Sequence, residues 1–196
     1  SRFLLDSGSA RILVDCGLFQ GLKKLRERNR LAFPVKPSSI QAVILTHAHI
    51  DHSGYLPALV KHGFRGTIYC TDATYDLCSI LLPDAGHLQE EEAEYANRHG
   101  FSKHKPALPL YTEDDARHCL KQFETIPFNA EFRPANGITA RFVPNGHILG
   151  SAMVYVSDGQ TRVAFSGDVG RPNDPVMLSP VAIEPCDYLV VESTYG

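Results

Sequence analysis

The sequence predicts an α/β sandwich, with sheets inside and helices outside. Three observations carry that prediction. Short runs rich in β-branched and aromatic residues, bounded by Gly, Pro, Asn or Asp, crowd both ends of the chain. Helix-like segments fill the middle. Several of the strand-like runs stop at a histidine or an aspartate.

The opening stretch, SRFLLDSGSARILVD, reads as two strands, Arg2–Leu5 and Arg11–Val14, joined by the turn signal Ser7-Gly8-Ser9. A helix is expected over Leu22–Arg30, a strand over Ala42–Leu45 and a helix over Gly54–His62, where Leu56, Leu59 and Val60 have helical spacing. The strand Thr67–Cys70 precedes helices over Ala73–Leu82 and Leu88–Arg98, separated by a turn at PDAGH. Pro106 to Pro109 marks a loop before a helix over Glu113–Gln122, with Thr112 as its N-cap and acids in its first turn. His62, just before Gly63, reads as a helix C-terminal residue. The remaining strands are Thr139–Val143, Ala152–Val156, Arg162–Phe165 and Tyr188–Val191. The chain opens and stops abruptly at a strand, which predicts a piece of a longer protein.

Composition narrows the class. Of the 196 residues, 43% are hydrophobic and 21% charged, enough to bury a core without staples. No apolar run approaches the roughly 18 residues of a membrane span, and no signal peptide is visible at the start. The 5 cysteines are odd in number and form no CxxC, as expected of reduced thiols in a cytoplasmic protein. A net charge of −3 excludes a basic nucleic-acid wrapper, yet charge is uneven. Lys23 to Lys36 carries six positive side chains against one acid, Glu27, while Asp84 to Glu94 carries five acids. The basic strip reads either as a phosphate track or as a solvated helix face.

The chemistry concentrates in LTHAHIDHSG. Directly after the apolar run AVIL, three histidines and one aspartate fall within six residues, His47 to His52. Histidine is the commonest metal-ligating side chain, and carboxylates often join it. Alternate residues of an extended loop share a face, so His47 and His49 can grip one ion, while Asp51 and His52 point to a second. A helix starting at Ser53 or Gly54 would leave amide donors near an anionic substrate. His147, in NGHILGSA, would complete a three-histidine set. Asp168, in FSGDVGR, would bridge the two ions. Nitrogen and oxygen donors without thiolate favour Zn2+, with Mn2+ or Fe2+ as alternatives. Asp15, in LVDCGLFQG, has two readings, an acceptor for a ligand histidine or an ordinary turn aspartate. His62, His87, His99, His104 and His118 lack such company.

The order Asp15, His47-x-His49-x-Asp51-His52, His147, Asp168 resembles the metallo-β-lactamase superfamily. VDCGLFQG, LLPDAGHLQEEEAEYANR and VVESTYG resemble its β-CASP branch of RNA-processing nucleases, which includes RNase J and the pre-mRNA 3′-end endonuclease. The resemblance implies an αββα sandwich of which residues 1–196 are the part before the β-CASP insertion, with that cap domain expected to follow. It implies two metal ions, held by His47, His49, Asp51, His52, His147 and Asp168. It also places Asp15 and Glu192 in the active site, with Glu192 orienting a histidine from further along. The implied reaction is hydrolysis of RNA by a water activated between two ions roughly 3.5–4 Å apart. The proton donor to the leaving 3′-oxygen would come from the cap, so this stretch alone is expected to be inactive. A homodimer and a larger RNA-processing assembly both remain open. Two rival readings stand beside this one: another hydrolase on the same scaffold, acting on a thioester or lactone, and a non-catalytic RNA-processing subunit. A di-iron redox protein fits less well, because it usually carries glutamate where His49 stands.

Overall fold

The computed structural model describes residues 1–102 and 104–194. Two five-stranded sheets lie face to face. The first runs β1(Phe3–Asp6), β2(Arg11–Val14), β3(Ala42–Ile44), β4(Thr67–Cys70), β5(Phe123–Thr125) across the sheet, antiparallel at β1–β2 and parallel thereafter. The second has the order β10(Tyr188–Val190), β9(Arg162–Phe165), β8(Ala152–Ser157), β7(Ile138–Pro144), β6(Glu131–Ala135), parallel only at β10–β9.

Strand periodicity sorts the side chains. Ile12, Val14 and Ile44 of the first sheet meet Phe142, Val154, Val156 and Phe165 of the second in one core. Leu13, Val43, Ile68 and Cys70 point the other way, into a core shared with the helices. Both faces of β3 are therefore buried, which is why its sequence is an unbroken apolar run. The outer face of the second sheet, with Val143, Met153, Tyr155 and Ala164, is met by Cys186 from an irregular strap. Among the described residues, helices cover only the first sheet, so the sandwich is three-layered with a strap in place of its fourth layer.

Several elements differ from the sequence reading. The expected helix Leu22–Arg30 is a five-residue helix, α1(Lys23–Glu27), followed by a 3₁₀ turn over Arg28–Arg30. Asn29 forces the change: its amide bonds to both the N–H and the C=O of Phe19, at 2.9 and 2.8 Å, and is drawn inward. The helix expected from Gly54 starts earlier, as α2(Ile50–Ser53), and resumes as α3(Leu56–Lys61) with Pro57 in its first turn. Asp51 and His52 thus sit on helix rather than on loop, and no helix begins at Ser53 or Gly54. His62 is the C-cap of α3, as expected.

The two middle helices are one, α4(Asp72–His99), 28 residues long, with Pro83 and Gly86 inside it. PDAGH is therefore not a turn. Tertiary contacts override the breakers. A Cβ on Gly86 would lie 2.7 Å from the backbone of Thr112 and Glu113, so glycine lets α5(Glu113–Leu120) start against the helix. Gln89 and Glu90 then accept the N–H groups of Leu110 and Glu113 at 3.2 and 2.9 Å. Thr112 caps α5 as expected, in a full capping box with Asp115. Two strands went unread. β5 is a three-residue edge, and β6 contains Pro134 within an irregular register, a pattern confined to edges. The Tyr195-Gly196 end of the ESTYG motif lies outside the described residues.

Candidate metal centre

The parallel strands deliver their side chains to one edge of the sandwich. Asp15 follows β2, Thr46 to His52 follow β3, Asp168 follows β9 and Glu192 follows β10, with His147 in the β7–β8 loop. The carboxyl ends of parallel strands are where α/β sheets usually hold their ligands.

Three histidine nitrogens converge there. His49 Nδ1 lies 3.2 Å from His47 Nε2 and 3.1 Å from His147 Nε2. Asp168 Oδ2 lies 3.5 Å from His147 Nε2 and 3.8 Å from His47 Nε2. The other oxygen of the same carboxylate, Oδ1, faces His52 Nε2 at 3.3 Å, and Asp51 Oδ2 approaches that nitrogen at 3.6 Å. The six expected metal ligands are thus brought together, and Asp168 stands between two sets of donors: His47, His49 and His147 on one side, His52 and Asp51 on the other.

Asp15 is the hub beneath them. It is 1% exposed and accepts the Thr46 N–H at 2.7 Å, the Thr46 hydroxyl at 2.9 Å and His52 Nδ1 at 2.7 Å. That network assigns the tautomers. The Thr46 hydroxyl proton goes to Asp15, so Thr46 Oγ1 accepts from His47 Nδ1 at 3.0 Å, and the Nε2 lone pair of His47 faces the centre. His52 donates its Nδ1 proton to Asp15, which leaves Nε2 facing the centre as well. The backbone of Asp15 is in the left-handed region, φ 57°, where aspartate is one of the few tolerated residues. Of the two readings of Asp15, the geometry favours the acceptor.

Electrostatics separates the two neighbouring rings. Burial, followed by the adjacent His52, pushes His47 down to about 3, so it is neutral. Burial opposes charge on His52 too, but the Asp15 and Asp168 carboxylates outweigh it and lift His52 to about 9. The His52 hydrogen bond, first among its causes, holds Asp168 down to about 2. Burial also lowers His147.

Close backbone packing fixes the loops. A Cβ on Gly17 would stand 1.6 Å from the Asp51 carbonyl oxygen, so only glycine lets the DCGLFQG loop pair with the ligand segment. That pairing runs Cys16 N to His52 O at 2.7 Å and Leu18 N to Ile50 O at 2.9 Å. Gly170 does the same for the other loops, since its Cβ would fall 1.9 Å from the Gly146 carbonyl oxygen beside His147. Glu192 accepts the Val169 N–H at 2.7 Å and so braces the Asp168 loop. Hydrogen bonds from Thr194 and Val169 keep its carboxyl below the usual range.

The sequence reading missed four buried polar residues that hold these loops: Thr46, Asn145, Ser151 and Ser166. Ser151 Oγ accepts the N–H groups of His147 and Ile148 at 3.0 Å each, and Asn145 Nδ2 donates to the Ser166 carbonyl at 2.8 Å. Their signal was weak: each lies within four residues of a ligand-type residue, three of them in Gly-containing loops. Among the described residues, His87, one of the five histidines set aside, pairs only with surface acids, Glu91 at 3.5 Å and Glu113 at 3.9 Å.

The donors fit a metal. Tetrahedral ligands at zinc–nitrogen bond lengths lie about 3.3–3.4 Å from one another. One donor atom each from His47, His49, His147 and Asp168 lie within 4.8 Å of one another, with the shortest nitrogen pairs near that edge. Residues 3–192 match the metallo-beta-lactamase superfamily. The chain belongs to that superfamily. Superfamily membership implies a divalent metal, and these four residues form a group that could hold one. The chain is 34% identical over 196 residues to Ribonuclease TTHA0252 of Thermus thermophilus, covering 100% of this chain and 41% of that protein. It is 34% identical over 200 residues to Transcription termination factor FttA of Methanococcus maripaludis, covering 95% of this chain and 28% of that one. It therefore spans about two fifths or less of these relatives' length. It is also 29% identical over 198 residues to Cleavage and polyadenylation specificity factor 73 of Drosophila melanogaster, covering 100% of this chain and 27% of that one. The metallo-beta-lactamase fold protein YhfI of Bacillus subtilis aligns with a TM-score of 0.53 at 20% identity, over 86% of this chain and 54% of that one, which shows the shared fold.

Proposed function

We propose that this chain carries the metal-binding half of a ribonuclease that hydrolyses RNA phosphodiester bonds. The observation that carries the reading is the Asp168 carboxylate, one oxygen turned toward the three-histidine set and the other toward His52. That placement supports a pair of divalent cations, Zn2+ first from the donor chemistry. His47, His49, His147 and Asp168 would hold one, and Asp51, His52 and Asp168 the other. When bound, such a pair supplies a water of lowered pKa and neutralises charge gathering on the phosphoryl oxygens.

The chain's own residues do the rest. Asp15 fixes the rings of His47 and His52 with Nε2 inward, so neither must turn as the substrate arrives. Glu192 holds the backbone that carries Asp168. Asp51 has a half-exposed side chain, so it can reach solvent and take a proton from an attacking water. RNA as substrate, over a thioester or a lactone, rests on the relatives' names and on the sequence stretches DCGLFQG and VVES.

The test uses the full-length protein. Single-stranded RNA, a thioester and a lactone are offered in parallel, with metal content measured on the same samples. RNA should be cleaved, and Asp51→Ala or Asp168→Ala should each remove nearly all cleavage and lower the metal content. Cleavage at the parental rate by either variant, with metal intact, would overturn the assignment. Turnover of the thioester or lactone alone would move the protein to another hydrolase class, and no turnover of any would favour the non-catalytic subunit.

A further inference from the structure

The basic strip noted in the sequence forms one wall of a groove. Lys23, Arg26 and Arg30, exposed and at helical spacing, line a depression of about 330 Å³ together with Leu18, Asn29, Gln89 and the acids Glu27 and Glu92. Arg30 also lines an adjoining depression of about 710 Å³, together with His104 and Lys105. The two are joined where Arg30 donates to the Leu108 carbonyl at 2.9 Å. One end of the groove adjoins the segment that carries His49 and Asp51. Leu18 is bonded to Ile50, the residue before Asp51, at 2.9 Å. Lys23 follows Leu18 by no more than about 18 Å of chain.

Among the described residues, Lys23, Arg26, Arg30 and Lys105 form no ion pair, and the lining of the two depressions carries these four cations against two acids, Glu27 and Glu92. An extended row of cations leading away from a phosphodiester-cleaving centre matches the backbone of a nucleic-acid strand. We propose that this groove, from Leu18 past Lys23, Arg26 and Arg30 to Lys105, carries the RNA strand beyond the cleaved bond, gripping successive phosphates without reading bases. The proposal rests on the ribonuclease reading.

The experiment measures binding of a non-hydrolysable 2′-O-methyl RNA oligonucleotide to the full-length protein over a range of salt. Each phosphate contact contributes about 0.7 to the slope of log affinity against log salt for a single strand. Lys23→Gln, Arg26→Gln and Lys105→Gln combined should weaken binding at low salt and flatten the slope by about 2. Glu92→Lys, which adds a cation to the same groove from α4, should steepen it. Hydrolysis of a small phosphodiester, bis(p-nitrophenyl) phosphate, should be unchanged in both, because it does not reach the groove. Unaltered slopes in both variants would overturn the proposal. If the parent hydrolyses neither RNA nor the small diester, the ribonuclease reading fails, and the slopes still decide whether a strand lies in the groove.

Discussion

The two donor sets on either side of Asp168 are built differently. His47, His49 and His147 come from two loops on different sheets, and with Asp168 they offer four donors whose shortest contacts are 3.1 and 3.2 Å. His52 and Asp51 come from one short helix, offer two donors besides Asp168, and leave the Asp51 side chain 50% exposed. The first set is closed by tertiary packing. The second is open, and depends on Asp15 below and Gly17 beside it. Nitrogen-rich, four-donor sites suit tight zinc binding, and open sites leave a position for substrate. The first set should therefore hold its ion more tightly than the second.

Removing a ligand from the closed set should have the largest effect. His147→Ala is expected to cost the tighter ion, weakening it by more than the 10–100-fold typical of a supporting residue. Metal titration would check this, and loss of only the weaker ion would reverse the comparison. Gly17→Ala comes next. Its new Cβ would meet the Asp51 backbone at 1.6 Å, so the ligand helix must shift. A destabilisation of about 1–3 kcal/mol is expected, with preferential loss of the weaker ion, read by thermal denaturation with and without metal.

Asp15→Asn is a gentler probe. Asparagine tolerates the left-handed backbone but cannot accept from both Thr46 and His52 as a carboxylate does. Affinity for the weaker ion should fall about 10–100-fold, with a smaller loss at the three-histidine set, where Asp15 acts only through Thr46. Equal losses at both sets would show that Asp15 does not discriminate between them.

The smallest effect is expected away from the centre, at Asp115 in the α5 capping box. Burial alone would raise its carboxyl, but Lys61 at 2.7 Å and the Thr112 N–H at 3.0 Å outweigh it and hold it below its ordinary value of 3.8. A depressed carboxyl stabilises the fold above its unfolded value, and that contribution is lost as pH falls through the folded one. Asp115→Asn should cost about 0.5–1 kcal/mol near neutrality, screened by its exposure, and the gap to the parent should close in acid. Denaturation of both proteins across that range tests it. A gap that stays constant would assign the effect to packing rather than charge.

The same contrast between local and distant contacts governs what the sequence made legible. HAHIDH stood out because four ligand-type side chains crowded into one strand end seldom serve any purpose but holding metal, and β2, β4 and β9 fell where their apolar runs put them. Thr112 announced its capping box in four residues. By contrast, α4 read as two helices because Pro83 and Gly86 break helices locally, and only the abutting start of α5 makes glycine useful there. The α2–α3 break and the bent end of α1 were hidden for a related reason, since each answers to a partner elsewhere, Asn29 to Phe19 in the second case.

By itself, the sequence determined the donor types, their order and the strands that present them, because hydrophobic period and side-chain chemistry are local properties. Tertiary structure alone decided that His147 meets His49 across 98 residues, that Asp168 divides its oxygens between two sets, and that Asp15 orients two rings. These are distances between atoms far apart in the chain. They are fixed by glycines that admit backbone against backbone at Gly17, Gly146 and Gly170, and no local pattern encodes which partner each glycine will meet.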